Sequence, residues 1–405
     1  MSGNLKSYIL RFPHLPVKSG INFTQHRKIY HFSVNNDSMN RFIYVFIFPA
    51  LYIFFSCNPS SKSSSTFMAF DDIEYVDNFP QSFPLQNSIE QNVDAIGVKS
   101  FCIYDSSLLM STVNPENLWV FASLPECHIY GNALKRGHGP TELIENPSVH
   151  NNTKIIKENG QLLAYIYEFK KGNLLKLNIT ESLRTNKTDI STLNDSLPKS
   201  LFNFVVINDS VFFCKEVNNN HTQQIRYIYK PNDNRVSLPV FEKLNNAVIK
   251  NGEDINILST MTKYNPTNNI IIEMPIGLNY INMYSLDNSY TKTICIGKGL
   301  YSIEGVQATH RWDRIYTFAD LRLFEKFWGV LYMNETEKDF QTNRKHFPTI
   351  LLFDWSGNPL AELKLTQLAT SFDIDINTGE LYTFDFNTEL FFKYSIQCVL
   401  SGITK

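Results

Sequence analysis

The chain has 405 residues, of which 43% are hydrophobic, 14% aromatic and 19% charged, and its formal net charge is −2. This length suffices for a large buried core, and the near-neutral charge provides no global field that would attract nucleic acid or an anionic membrane surface. The richness in Phe and Tyr at low charge favours β-strands.

A hydrophobic segment that ends at Cys57 dominates the N-terminal region. Arg41 precedes an apolar run of 15 residues, FIYVFIFPALYIFFS. Such a run is too short to cross a bilayer core of about 30 Å comfortably, but it has the length of a signal-peptide core. Because Met39 stands just before it, we predict a signal peptide over residues 39–57 and an upstream extension outside the fold over residues 1–38. An uncleaved membrane anchor is the alternative.

The residues around Cys57 resemble the lipobox of bacterial lipoproteins, although Phe54 stands where leucine is usual. The resemblance implies that Cys57 carries the lipid that anchors the protein to a membrane of the cell envelope. Residues 58–66 are rich in serine and predict a flexible tether. The tether has no acidic cluster after Cys57, which favours the periplasmic side of the outer membrane.

The six cysteines include no Cys-x-x-Cys pair, so neither a zinc site nor a thioredoxin-like motif has support. We expect no metal and no cofactor. The cysteines other than Cys57 are predicted to be structural thiols.

Two elements recur six times along residues 105–394. The first is a short apolar strand, and the second is a polar turn followed by another strand. The last core position of each apolar strand is separated from the next by about 55 residues on average, at Phe121, Leu177, Tyr229, Tyr284, Phe353 and Tyr394. The turns are placed near Asp105, Asn159, Asn208, Asn268, Asp313 and Asn377.

This period predicts an all-β, six-bladed β-propeller with four antiparallel strands in each blade, over residues 67–405. A β-sandwich with chance similarity between its hairpins is the alternative. Only 11 residues follow Tyr394. We therefore predict that an N-terminal strand, within residues 67–76, closes the last blade and removes its exposed edge.

Two segments resemble the TolB-like six-bladed propeller lipoproteins of Gram-negative bacteria. Residues 135–143 (KRGHGPTEL) are similar to that family's Gly-x-Gly-Pro-x-Glu-Phe loop, with Leu143 in place of the aromatic residue. Residues 352–359 (LFDWSGNP) are similar to its Phe-Asp-Trp-x-Gly-Asn-Pro hairpin. The resemblance implies a fold and an envelope location rather than a reaction.

Two Gly-x-Gly loops and one insertion provide the candidate ligand site. The loops follow blades 1 and 4, at residues 135–142 and 296–299, and the insertion lies in blade 5, at about residues 320–346. Glycine lets backbone N–H groups converge on an anion, and the nearby cations add charge. The alternative is that the loops only turn the chain. The candidate ligand-binding residues are Arg136, Gly137, His138, Gly139, Glu142, Lys298 and Arg322.

No catalytic motif stands out, because the sequence contains no HExxH, GxSxG or P-loop pattern. A module that binds a glycan, a peptide or an envelope protein is the first hypothesis. A lyase or hydrolase acting on a polysaccharide or lactone at the channel mouth is the second, and a purely structural role is the third. The fold alone does not decide among them.

Overall fold

Six sheets follow one another along the chain and form a six-bladed β-propeller, as predicted. The structure, a computed structural model, describes residues 66–231 and 234–403. The predicted extension, the signal peptide with Cys57 and nearly all of the tether lie outside these residues. Within the described ranges, no helix has the length and apolar character needed to cross a membrane.

The strands of each blade are antiparallel and run outward from the propeller axis in chain order, except that an earlier segment supplies the outer strand of blade 6. They are Val98–Tyr104, Ser107–Thr112, Trp119–Ser123 and Ile129–Ala133 in blade 1; Thr153–Glu158, Gln161–Glu168, Asn173–Asn178 and Ile190–Asn194 in blade 2; Asn203–Asn208, Val211–Val217, Gln224–Lys230 and Asn234–Val236 in blade 3; Thr260–Asn265, Ile270–Pro275, Tyr280–Ser285 and Thr291–Ile296 in blade 4; Ile315–Leu323, Phe327–Thr336, Thr349–Asp354 and Pro359–Lys364 in blade 5; and Ser371–Asp375, Glu380–Asp385, Leu390–Ser395 and Ile89–Gln91 in blade 6.

Short helices and strands complete the described part of the chain. The α-helices are Ile179–Thr185, Pro239–Asn245, Ile303–Ala308, Glu337–Thr342 and Gln397–Ile403, and the 3-10 helices are Ile255–Leu258 and Arg311–Asp313. The remaining strands are Ile73–Val76, Ser82–Pro84, Lys135–Arg136 and Glu142–Leu143.

The predicted repeat corresponds to the observed blades. All six apolar positions, from Phe121 to Tyr394, lie in the third strand of their blade. Five of the six predicted turns join strands 1 and 2, but the one at Asp313 is wrong. Asp313 precedes strand 1 of blade 5, and the turn is formed by Phe324, Glu325 and Lys326. That turn contains no Asn, Asp or Gly, so the pattern used for the other blades could not detect it.

A segment before blade 1 wraps around the outer edges of three blades. Ile73–Val76 pairs in parallel with the outer strand of blade 4, and Ser82–Pro84 pairs in parallel with that of blade 5. Ile89–Gln91 then closes blade 6 by antiparallel pairing with its third strand. The expectation of an N-terminal closing strand is therefore confirmed, but its placement within residues 67–76 is wrong. Residues 66–91 are called the strap below.

The core consists of six apolar layers, one between each pair of adjacent blades. A blade has two apolar faces, and each face is covered only when the next blade packs against it. Trp328 of blade 5 illustrates this packing: it is fully buried, and its ring stacks at 4.5 Å on that of Phe353 in the layer shared with blade 4. Because every blade needs both neighbours, the ring must close to be stable.

The innermost strands surround the axis and give the propeller two distinct ends. One end carries the turns between strands 1 and 2 and between strands 3 and 4, and is called the turn face. The other carries the connections from strand 2 to strand 3 and from each blade to the next, and is called the connection face. The sequence had directed attention to the connection face.

Candidate functional site

A cavity of about 410 Å³ lies on the propeller axis and opens at the turn face. It is lined by the ends of the innermost strands of blades 4, 5, 6 and 1, together with the turns that follow them. This volume falls within the range of small-molecule sites. The lining includes three aromatic and five charged side chains: Tyr104, Tyr264, Phe324, Lys263, Arg322, Asp373, Asp105 and Asp375.

Arg322 organises the charged floor of this cavity. Its Nε donates to Asp320 Oδ2 at 3.0 Å, its Nη1 to Asp373 Oδ2 at 3.4 Å, and its Nη2 to the carbonyl oxygen of Phe101 at 2.8 Å. The two aspartates belong to blades 5 and 6, and Phe101 belongs to blade 1. A single guanidinium thus joins three blades, as its planar arrangement of donors permits.

Lys263 and His150 lie next to this cluster. Lys263, on the innermost strand of blade 4, donates to the carbonyl oxygen of His150, which precedes blade 2. The His150 side chain is only 9% exposed, and its Nε2 lies 3.5 Å from Asp320 Oδ1. Its Nδ1 has no hydrogen-bond partner among the described residues. The floor of the cavity is therefore polar from all sides.

Burial and the Arg322 charge determine the protonation of these groups. Burial would raise the pKa of Asp320, but Arg322 and His150 outweigh it and lower that pKa to about 2. Burial, and then repulsion by Arg322, lower the pKa of His150 to about 3 and that of Lys263 to about 8. Burial raises the pKa of Asp373, against the opposing effect of Arg322. At neutral pH, His150 is thus uncharged, and the charge of Lys263 is unusually easy to remove.

Flat aromatic faces and clustered donors and acceptors equip this cavity to bind a polar ring-shaped molecule. No group of three or more His, Cys, Asp or Glu side chains in the described residues is arranged to hold a metal ion. The thiol nearest the cluster, Cys102, is buried, and its surroundings raise its pKa to about 12, first through burial and then through Asp373. This thiol is therefore a poor nucleophile.

The structure places the first predicted loop, residues 135–142, at the connection face. The cavity instead opens at the turn face. The backbone N–H of Arg136 donates to the carbonyl oxygen of Pro115, in the strand 2–3 connection of blade 1. The Glu142 carboxylate folds back and accepts the Gly139 N–H at 2.9 Å. A Cβ on Gly137 would approach Glu142 Oε2 to 1.9 Å. The two glycines thus make room for Glu142, while Arg136 and His138 are exposed.

The other predicted residues are divided between the two faces. Lys298 is exposed in the connection from blade 4 to blade 5, three blades away from the first loop. Arg322 instead lines the cavity near the turn face. The predicted insertion at residues 320–346 is largely regular strand, and the inserted part begins at Glu337. The structure therefore does not place Arg322 beside the two Gly-x-Gly loops.

The other segment that resembles the TolB-like family, residues 352–359, contains the turn between strands 3 and 4 of blade 5. Asp354 Oδ1 accepts the N–H groups of Ser356 and Asn358, each at 2.8 Å. Gly357 has a φ of +82°, which favours glycine. The Trp355 Nε1 donates to the carbonyl oxygen of Glu325 at 2.9 Å and so ties this turn to the strand 1–2 turn. The segment accordingly has a structural explanation.

Lys263, Tyr264, Tyr104 and Phe324 were not singled out by the sequence. Each stands within three residues of a strand 1–2 turn, or in the turn itself. No local sequence motif links these four residues. What they share is their position near a strand 1–2 turn. In blade 5 this position could not be recognised, because the turn was predicted at Asp313.

No protein-family model matches the chain, and no curated protein sequence matches it. Its fold is similar to that of solved structures at low sequence identity. A member of the DUF4221 family from Bacteroides vulgatus has 10% identity and a TM-score of 0.48, with 76% of this chain and 96% of that chain covered. A putative exported protein from Bacteroides fragilis has 13% identity and a TM-score of 0.42, with 77% and 87% covered. Hydrazine synthase from Kuenenia stuttgartiensis has 10% identity and a TM-score of 0.40, with 77% and 80% covered. These likenesses concern the fold, and no function is carried over from them.

Proposed function

We propose that this chain is a cell-envelope lipoprotein whose propeller binds a sugar-like ligand in the axial cavity. One observation carries the binding role: a cavity of about 410 Å³ combines aromatic walls with a floor of charged hydrogen-bonding groups. Aromatic faces cover the apolar side of a sugar ring, while charged and polar groups bind its hydroxyls. This cavity supports the binding module that was the first hypothesis from the sequence.

The envelope location is supported by the lipobox-like residues before Cys57 and by the resemblance to the TolB-like lipoproteins. We propose that the lipid on Cys57 holds the propeller at the periplasmic side of the outer membrane. The full chain, expressed in a Gram-negative host with a radiolabelled fatty acid, is expected to incorporate the label. Cys57→Ala should lose it, while Cys398→Ala should keep it. Labelling that survives Cys57→Ala would contradict the proposal.

The cavity is tested with a chain that begins at Asn58 and a panel of envelope sugars. A ligand at a hundred times its Kd should stabilise the protein by about 2.7 kcal/mol, as a rise in the thermal midpoint. Tyr264→Ala removes one aromatic wall and is expected to weaken binding at least tenfold. His138→Ala, on the connection face, should leave binding unchanged. The opposite pattern would place the ligand at the loops predicted from the sequence, and the absence of any shift would contradict a sugar-like ligand.

An enzymatic role remains the second candidate because of Lys263. An amine whose pKa is near 8 is suited to act as a general base, and it lies in the cavity beside acidic groups. This arrangement is compatible with a lyase that removes a proton next to a carboxylate. Mass analysis of any ligand recovered from the binding experiment distinguishes the two roles, since a binder returns it intact and a lyase returns shortened, unsaturated products.

A further inference from the structure

Lys263 is the cation in the described part of the cavity that lacks a carboxylate partner. Its ammonium group has three donors, and the one acceptor found for it is the carbonyl oxygen of His150. None of the described carboxylates lies within 4.0 Å of its Nζ. The charges of Asp320 and Asp373 act on Lys263 from beyond that distance, so no described carboxylate bonds to its ammonium group directly. Because Lys263 lines the cavity, its further donors can bond to an acceptor on a bound ligand.

The neighbouring carboxylates do not bond to Lys263, because Arg322 and backbone N–H groups already hold them. Arg322 is shared between Asp320 and Asp373. Asp373 also accepts the N–H groups of Ile103 and Ile374, each at 2.9 Å. Asp320 accepts the N–H of Phe372 at 3.1 Å. These contacts hold the two aspartates on Arg322 and leave Lys263 for a ligand.

We propose that the natural ligand of the cavity carries a single carboxylate that pairs with Lys263, so that the sugar-like ligand is a uronic acid or a related sugar acid. This inference rests on the binding role proposed above and narrows its ligand class. The rim of the cavity carries Asp105 and Asp375. Their negative charge opposes a doubly charged group such as a phosphate monoester. A single carboxylate next to Lys263 meets less of this repulsion than a dianion does.

The pH dependence of binding gives this pairing a signature. The groups that face Lys263 are Arg322, Asp320, Asp373, Cys102 and His150. A bound carboxylate favours the protonated amine, so it raises the pKa of Lys263 from its value of about 8. The affinity for a sugar acid should therefore fall about tenfold per pH unit above that pKa, while the affinity for a neutral sugar should not. Asp373→Asn should keep this dependence, which separates Lys263 from the raised pKa of Asp373.

The apoprotein offers a measurement that needs no ligand. Lys263→Met keeps most of the side-chain volume and removes a buried charge that no described carboxylate contacts directly, so it is expected to raise the thermal midpoint at pH 7. A Lys263→Met midpoint below that of the unchanged chain would contradict this expectation, because it would mean that Lys263 already stabilises the fold without a ligand.

The binding test uses the chain from Asn58 with two matched pairs, galacturonate with galactose and glucuronate with glucose. Within each pair only a carboxylate replaces a hydroxymethyl group. We expect the acid to bind at least tenfold more tightly in one pair, Lys263→Met to abolish that preference, and Lys338→Met, on an exposed helix, to preserve it. Equal affinity for acid and neutral sugar, or tighter binding of galactose 1-phosphate, overturns the carboxylate while leaving the binding role intact. If none of these sugars binds, the binding role fails as well.

Discussion

Replacing Glu273 with alanine is expected to lower the free energy of unfolding by about 3–5 kcal/mol. Glu273 lies on strand 2 of blade 4, and its side chain is fully buried. Its Oε1 accepts from Arg226 Nε at 2.7 Å and from the Tyr284 hydroxyl at 2.5 Å, and its Oε2 accepts from Arg226 Nη2 at 2.8 Å. Because Arg226 belongs to blade 3, these bonds join two blades across their shared layer.

The expected loss is large because the substitution leaves two cations buried without a carboxylate. Arg226 is fully buried and cannot release its proton. Lys215 is also fully buried, and burial already lowers its pKa to about 7, so deprotonation relieves part of the cost there. Adding Arg226→Met to Glu273→Ala should recover a substantial part of the lost stability, because it removes the charge that Glu273→Ala leaves buried without a carboxylate.

Denaturant unfolding of the chain from Asn58 provides the measurement. Glu158→Ala is the control, since Glu158 is an exposed carboxylate on a strand of blade 2, and a change within about 0.5 kcal/mol is expected there. A loss below about 1 kcal/mol for Glu273→Ala would mean that the network contributes little to joining the blades.

The same carboxylate predicts a defined response to acid. Burial opposes ionisation of Glu273, but Arg226 and then Lys215 outweigh it and lower its pKa to about 2. A carboxylate whose pKa is lower in the folded than in the unfolded protein contributes stability above the unfolded value of about 4.3. That contribution is lost as the pH falls from about 4 towards 2. In Glu273→Gln this part of the acid dependence should be missing.

The sequence revealed the blades well because each third strand has the same physical task. Phe121, Tyr284 and Tyr394 all fill layers between neighbouring blades, so aromatic and aliphatic residues recur there with the period of the fold. Turns that need left-handed backbone were found for a similar reason: Asp105 and Asn159, for example, have positive φ values of 50° and 51°. The strand 1–2 turn of blade 5 was predicted at the wrong place because it contains neither Asn nor Gly.

The cavity was harder to foresee, since no local stretch of sequence contains it. Lys263 and Arg322 come from different blades and are 59 positions apart in the chain. Their neighbours are likewise contributed by the ends of four innermost strands and the turns that follow them. By contrast, the Gly-x-Gly loop is conspicuous because it is local, and its Glu142 satisfies the loop's own backbone. A search by distance from each strand 1–2 turn, rather than by motif, would have grouped Tyr104, Lys263 and Asp373.

The strap leads to the other large expected effect: a chain that begins at Asn92 should not unfold as one cooperative unit. It lacks strands that border blades 4, 5 and 6, so the outer edges of these blades are exposed. It also lacks four large buried side chains, Met68, Phe70, Val76 and Leu85. At about 1.5–3 kcal/mol each, their burial amounts to about 6–12 kcal/mol, which is comparable with the total stability of a domain, about 5–15 kcal/mol.

Stepwise shortening shows where this stability resides. A chain that begins at Thr66 should match one that begins at Asn58, because the predicted tether buries no core. A chain that begins at Asp77 loses Met68, Phe70 and Val76 but keeps the closing strand Ile89–Gln91, so it should unfold cooperatively at a lower midpoint. Only removal of the closing strand leaves the third strand of blade 6 without its outer neighbour. An Asn92 chain with the midpoint of the Thr66 chain would show that the ring closes without the strap, and the role assigned to these three strands would then be wrong.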